Sequence, residues 1–248
     1  MKPFKNAFPR LAAVGAFFLL LASCASKSVP ATEIPENLPD FDQRLLSGKI
    51  FTSALPIEGS PARLGKVIGM IDAPPDIVWK VVTRYEDYVN YMPLVVQSKV
   101  TPLGPTTCKL YQKYQLKLGS VNFGKVIPVS YWVELRMNHD ARLFHIDWDM
   151  LGGDIVNTYG SWDLLPFGPG GKKTKLTYQL YFEVGNPLMD QSAKFLDEEV
   201  LPLVITSIRE KVKDPGLATL TLPPYAVPPK QRSLEQDVEK AFEGVDLR

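Results

Sequence analysis

Ile71-Asp72-Ala73-Pro74-Pro75-Asp76-Ile77-Val78-Trp79-Lys80-Val81-Val82 holds the transition that decides the architecture. Leu64 to Ile71, just before it, reads as a strand. The two prolines then suit the first turn of a helix, where a missing N–H leaves no partner wanting. Ile77, Val78, Val81 and Val82 recur at helical spacing, so a short helix is predicted here. A second short helix is predicted over Tyr85 to Tyr91, ending at Met92-Pro93 because proline disfavours helical geometry in the residue before it.

Downstream, strand-like runs follow one another: Val95 to Thr101, Cys108 to Leu118, Lys125 to Met137, Leu143 to Asp149, Ile155 to Leu165 and Thr174 to Val184. The turns between them contain Pro102 and Pro105, Gly119 and Gly124, Asn138 to Asp140, Gly152-Gly153, and Gly168 to Gly171. Connections this short imply an antiparallel meander. Alternation puts Leu110, Gln112, Tyr114 and Leu116 on one face of the sheet, with Tyr131, Val133, Trp148, Trp162, Tyr178 and Leu180. The other face takes Lys109, Lys113, Glu134, Arg136, Asp147, Asp149, Gln179 and Glu183 and suits water.

Leu188 to Lys213 reads as one long helix with an apolar stripe through Phe195, Leu196, Val200, Leu203, Val204, Ile208 and Val212, and with a kink expected at Pro202. Residues 215–248 form a proline-rich tail whose Ser233 and Gln236 have capping-box spacing for a short helix. Upstream, Lys49 to Ala54 and Leu64 to Ile71 form a first strand pair, and residues 24–46, rich in proline and polar groups without a period, read as a linker.

Lys2, Lys5 and Arg10 precede an apolar run from Leu11 to Ala22, too short for the roughly 20 residues a membrane-spanning helix needs, so residues 1–23 read as a signal peptide. The following Leu21-Ala22-Ser23-Cys24 resembles the bacterial lipobox, which implies cleavage before Cys24 and acylation of that cysteine. Several acyl chains together anchor stably. Ala25, rather than aspartate, follows Cys24; by resemblance to enteric lipoproteins that implies the outer membrane, with the body facing the periplasm. Losing the three positive charges of residues 1–23 takes the net charge from +1 to −2, which gives no reason to expect nucleic acid. With Cys24 acylated, Cys108 has no partner for a disulfide, and the fold must rest on its core.

The order of strand, two short helices, antiparallel strands and long C-terminal helix resembles the START-like, or SRPBCC, superfamily, which includes polyketide cyclase-like and coenzyme Q-binding proteins. Residues 64–213 carry the likeness, most clearly in Ile71 to Trp79, Tyr85-Glu86-Asp87-Tyr88, Tyr91-Met92-Pro93 and Gly160-Ser161-Trp162-Asp163-Leu164. The resemblance implies an α+β helix-grip domain over residues 47–214, a curved antiparallel sheet wrapped around the C-terminal helix with an apolar cavity between them. The expected pocket lining is Gln112, Tyr114, Tyr131, Val133, Phe144, Trp148, Thr158, Trp162, Tyr178 and Leu180 from the strands, with Leu203 and Ile208 from the helix. Apolar walls with a few polar tips are what a lipid-like guest requires; a filled core in which each phenol and indole has an internal partner is the competing reading.

Catalytic signatures are weak. His145, Asp147 and Asp149 alternate on one strand face at metal-ligand spacing, but that face is the wet one, and a solvated charge row explains it better. Gly168 to Thr174 lacks phosphate-loop spacing and is followed by a strand, so it reads as a turn. Glu198 and Glu199 point about 100° apart on a helix and cannot both face a pocket. Cys108, on the inner face without a nearby base, reads as a small hydrophobe. No catalytic residue, cofactor or metal is therefore expected. The leading expectation is a tethered lipoprotein that binds or shuttles a lipid or other hydrophobic small molecule. The alternatives are a cyclase- or hydrolase-like enzyme, which would need Asp163 or Glu183 turned into the cavity beside Tyr178, and an envelope scaffold docking an unknown protein through its tail.

Overall fold

In the computed structural model of the chain, residues 33–118, 125–139, 143–185 and 200–226 are described. Eight strands are formed: β1 (Phe51–Pro56), β2 (Arg63–Ile71), β3 (Val95–Pro102), β4 (Thr107–Leu118), β5 (Lys125–His139), β6 (Phe144–Gly153), β7 (Asn157–Phe167) and β8 (Lys173–Glu183). They make one antiparallel sheet in the order β1-β2-β8-β7-β6-β5-β4-β3. Neighbours in sequence pair from β3 to β8, and β8 returns to pair with β2. Consequently β2 and β3 lie far apart in the sheet, and the chain must cross between them. It does so through α2 (Pro75–Val82), a 3-10 turn at Tyr85–Asp87 and α3 (Tyr88–Tyr91). Pro75 stands in the first turn of α2, and Met92 is already extended, as the sequence predicts.

The strand ends fall within two residues of those the sequence predicts except in β6, which runs on to Gly153. Gly152-Gly153 is not a turn: the two residues pair with Trp132 and Tyr131 across a bulge in register. Both have φ near +150°, and a Cβ on Gly153 would stand 2.4 Å from the Ser130 carbonyl oxygen, so only glycine continues the strand here.

The C-terminal helix α4 (Leu201–Lys211) lies on the concave face. Its close seat on β2 depends on Gly69, where a Cβ would come 2.6 Å from Ile205, and the Arg209 Nε donates to the Met70 carbonyl. Pro202 is the second residue of α4 as described, and the kink expected at it depends on residues before 200. Residues 188–199, which would carry the first half of the expected longer helix and the Glu198-Glu199 pair, lie outside the described residues, as do residues 1–23, Cys24 and the Ser233 segment.

Two stretches read as irregular ends are packed. The linker's last residues form α1 (Phe41–Leu46), whose Phe41 and Leu45 are buried with Phe51, Ile68 and Met70 in a second cluster. Glu36 accepts from Lys66 and Lys175, which hold its carboxyl below the usual range against the opposing effect of burial. At the other end, the 3-10 turns Pro215–Thr219 and Pro224–Ala226 fold against α2. Trp79 Nε1 donates to the Ala226 carbonyl at 3.1 Å and Tyr225 donates to the Thr83 carbonyl at 3.1 Å, while Leu217 is buried. Isolated apolar residues among prolines carry no period, which is why the sequence shows neither docking.

Candidate functional site

The concave face is divided lengthwise. At one end α2 lies on the sheet, and Trp79 fills the space against Phe144 with ring centroids 5.5 Å apart. Under the start of α4 the space is not filled. There Val200, Leu201 and Val204 face β4 to β8 across a cavity, which Tyr85, Tyr88, Met92 and Leu94 close from the crossover. Leu94 takes a left-handed backbone conformation, φ 65°, rare for a leucine, at the corner between α3 and β3. The cavity leaves about 80 Å³ to the centres of water-sized spheres, below the roughly 300–1,000 Å³ of pockets for drug-sized ligands.

Alternation along the strands builds the walls. Tyr178 is sandwiched between Trp162, centroids 4.1 Å apart, and Trp148, 5.8 Å. Tyr114 and Tyr131, from the neighbouring strands β4 and β5, stack at 5.6 Å. Burial is the main cause that pushes the phenols of Tyr85, Tyr88, Tyr131 and Tyr178 well above their usual range, and it takes Tyr114 up to about 12 against a hydrogen bond from Tyr131 that lowers it. All are neutral phenols at physiological pH. Their hydroxyls differ in use. Tyr88 donates to the Val82 carbonyl at 2.6 Å, and Tyr114 donates to Gln112 Oε1 at 2.8 Å. The Tyr85 hydroxyl and Gln112 Nε2 are buried without a partner among the described residues. An unmet buried polar group costs about 1–3 kcal/mol.

Of the residues that the sequence assigns to the pocket, Gln112, Tyr114, Tyr131, Val133, Trp148, Trp162, Tyr178 and Leu180 line the cavity. The other four do not. Phe144 is beneath α2. Thr158 points inward but is fully buried, with its hydroxyl on the Tyr181 carbonyl. Ile208 is fully buried core. Leu203 is 50% exposed, because at about 100° per residue it stands about 200° from Leu201 on the helix. The buried stripe is Leu201, Val204, Ile205 and Ile208; of the expected one, Val204 and Ile208 belong to it and Leu203 does not. The crossover tyrosines and Leu94 were not predicted, since the sequence shows them as part of a helix pair without saying which face meets the sheet.

No carboxylate, histidine, cysteine or serine among the described residues lines the cavity. Asp163 Oδ1 accepts from His145 Nδ1 at 2.6 Å, and Glu183 accepts from the Tyr181 hydroxyl, so neither is beside Tyr178. His145, Asp147 and Asp149 belong to a charge row: Arg136 bonds Asp147 through Nε at 2.6 Å and Asp149 at 2.6 Å. No cluster of metal-ligating side chains occurs among the described residues. Cys108 is buried and burial pushes its thiol up to about 12, which leaves it protonated and unreactive.

A curved antiparallel sheet holding a C-terminal helix over an aromatic cavity defines a helix-grip domain of the START-like (SRPBCC) superfamily. Solved structures with this fold include a STAR-related lipid transfer protein from Xanthomonas axonopodis, 17% identical, matched over 66% of this chain and 94% of that one at a TM-score of 0.53. The human StAR-related lipid transfer protein 5 is 13% identical over 67% of this chain and 82% of its own, with a TM-score of 0.56. The chain belongs to the polyketide cyclase / dehydrase and lipid transport family, whose model matches residues 71–209. No curated protein sequence matches it significantly.

Proposed function

We propose that the protein is a lipoprotein, anchored through acylated Cys24 in the bacterial envelope and facing the periplasm, that binds or shuttles a lipid or other hydrophobic small molecule in the cavity under α4. The observation that carries the reading is the cavity itself, walled by Trp148, Trp162, Tyr178 and aliphatic side chains, with no carboxylate, histidine or cysteine among the described residues that line it. Binding is then partition: each Å² of apolar guest surface removed from water contributes about 25 cal/mol. The few polar tips orient the guest. Family membership and the fold shared with two lipid transfer proteins support this reading. The anchor rests on the lipobox-like Leu21-Ala22-Ser23-Cys24, and placement in the outer membrane on Ala25.

Two measurements test it. Native mass spectrometry of the protein as purified, with solvent extraction, is expected to reveal an apolar compound at near-stoichiometric amount; a protein that comes out empty and takes up no hydrocarbon defeats the carrier. Mass spectrometry of the N-terminal peptide is expected to show cleavage before Cys24 and a diacylglyceryl group on it. A Cys24→Ala chain that still sediments with membranes defeats the anchor.

A further inference from the structure

We propose that the guest is an amphiphile with an anionic head, a carboxylate or a phosphate, which the guanidinium of Arg63 binds where the cavity meets water. This rests on the reading of the cavity as a ligand site and adds the class of guest that it selects.

Arg63 opens β2 and is the one charged side chain among the described residues that line the cavity. Alternation turns it inward: Gly65 and Val67, on the same face of β2, pair with Leu180 and Tyr178 of β8, which line that cavity too. The row continues through Gly69 and Ile71 into the core, and Arg63 alone in it carries charge. It is only half-buried, so water and a guest can both reach it.

Its hydrogen-bonding capacity is nearly unspent. The bond it makes among the described residues runs from Nη1 to the Ala54 carbonyl at 3.4 Å, beyond the usual range of about 2.7–3.2 Å. Elsewhere the cations are matched. Arg44, Arg84 and Arg136 each stand beside a carboxylate, and Lys66 and Lys175, on the opposite face of the β2–β8 pair, share Glu36. Arg63 faces the cavity with no carboxylate partner among the described residues.

A guanidinium is a planar fork that takes two oxygens of a carboxylate or phosphate at once, and such charge-assisted bonds are about twice as strong as neutral ones. A hydrocarbon guest would strip water from this charge and return nothing. An amphiphile lays its tail against Leu180, Phe182 and Leu201 and meets the charge with its head.

The test compares nonanoate and nonyl phosphate with 1-nonanol, which share one tail, by equilibrium dialysis against the full chain carrying Cys24→Ser, which cannot be acylated. The affinity of each anion relative to the alcohol is expected to fall about tenfold in Arg63→Gln, or about 1.4 kcal/mol. Arg63→Lys keeps the charge without the fork, and there the fall is expected to be smaller. Added salt is expected to lower the same ratio in the chain that keeps Arg63, a reading that needs no variant. The anion bound more tightly names the head group. A ratio that neither Arg63→Gln nor salt moves overturns the anion site and leaves the apolar cavity standing. Uptake of none of the three probes overturns both readings.

Discussion

Gly160 of β7 lies beneath the indole of its cross-strand neighbour Trp148: a β-carbon on Gly160 would stand 2.4 Å from Trp148 Cζ2 and 2.2 Å from the Gln179 carbonyl oxygen. The bare backbone is what lets the indole lie flat toward Tyr178 and form the cavity wall. Gly160→Ala is therefore expected to push Trp148 off its rotamer and lower stability by about 1–3 kcal/mol, as overpacking does. Urea unfolding gives the stability, and a shifted tryptophan emission in the folded state reports the moved ring. An alanine that changes neither contradicts the packing.

Val204 faces the cavity from α4. A larger ring there takes up part of that space. Val204→Phe is expected to leave the unfolding midpoint nearly unchanged, within about 1.5 kcal/mol, while uptake of nonane falls at least tenfold. Undiminished uptake would place the guest elsewhere.

Leu201 and Leu203, two residues apart, stand on opposite sides of α4. Leu201→Ala is expected to cost about 2–5 kcal/mol by leaving a cavity, and Leu203→Ser no more than about 0.5 kcal/mol. Denaturant midpoints decide the phase of the helix; similar costs would mean that Leu203 is covered.

Tyr225 ties the C-terminal strap to α2 through the Thr83 carbonyl and the Glu86 carboxylate. Tyr225→Phe removes only the hydroxyl and is expected to cost about 1 kcal/mol. Truncation after Asp214 is expected to cost several times more, because it also removes the buried Leu217 and uncovers Trp79. A truncated chain as stable as the whole would show the strap to be dispensable.

Alkaline pH acts through Cys108 and Tyr114, whose ordinary values of 9.0 and 10.0 are raised by burial to about 12. The unfolded chain releases these protons first, so above about pH 9 it binds fewer protons than the native state and stability falls as pH rises. Their contribution is complete below about pH 9 and gone above about pH 12. Urea midpoints measured from pH 7 to 11 are expected to hold and then decline. At pH 8 a thiol reagent is expected to reach Cys108 only when the chain unfolds; rapid labelling of the native protein would show the site to be open.

Periodicity is local, and what it encodes was legible. The Pro74-Pro75 helix start, the stop at Met92-Pro93, the alternation of Gln112 and Tyr114 with lysines, and the inward run of Trp148, Trp162 and Tyr178 fix element types and faces before any contact is known. Tertiary structure decided whatever depends on which surfaces meet. Leu203 and Leu201 are equally apolar, and only the seat of Ile205 on Gly69 selects the buried one. Phe144 and Tyr178 share an inward face, yet Trp79 fills the space over one and the other borders a void. Gly152-Gly153 reads as a turn in one dimension and is a bulge against β5 in three.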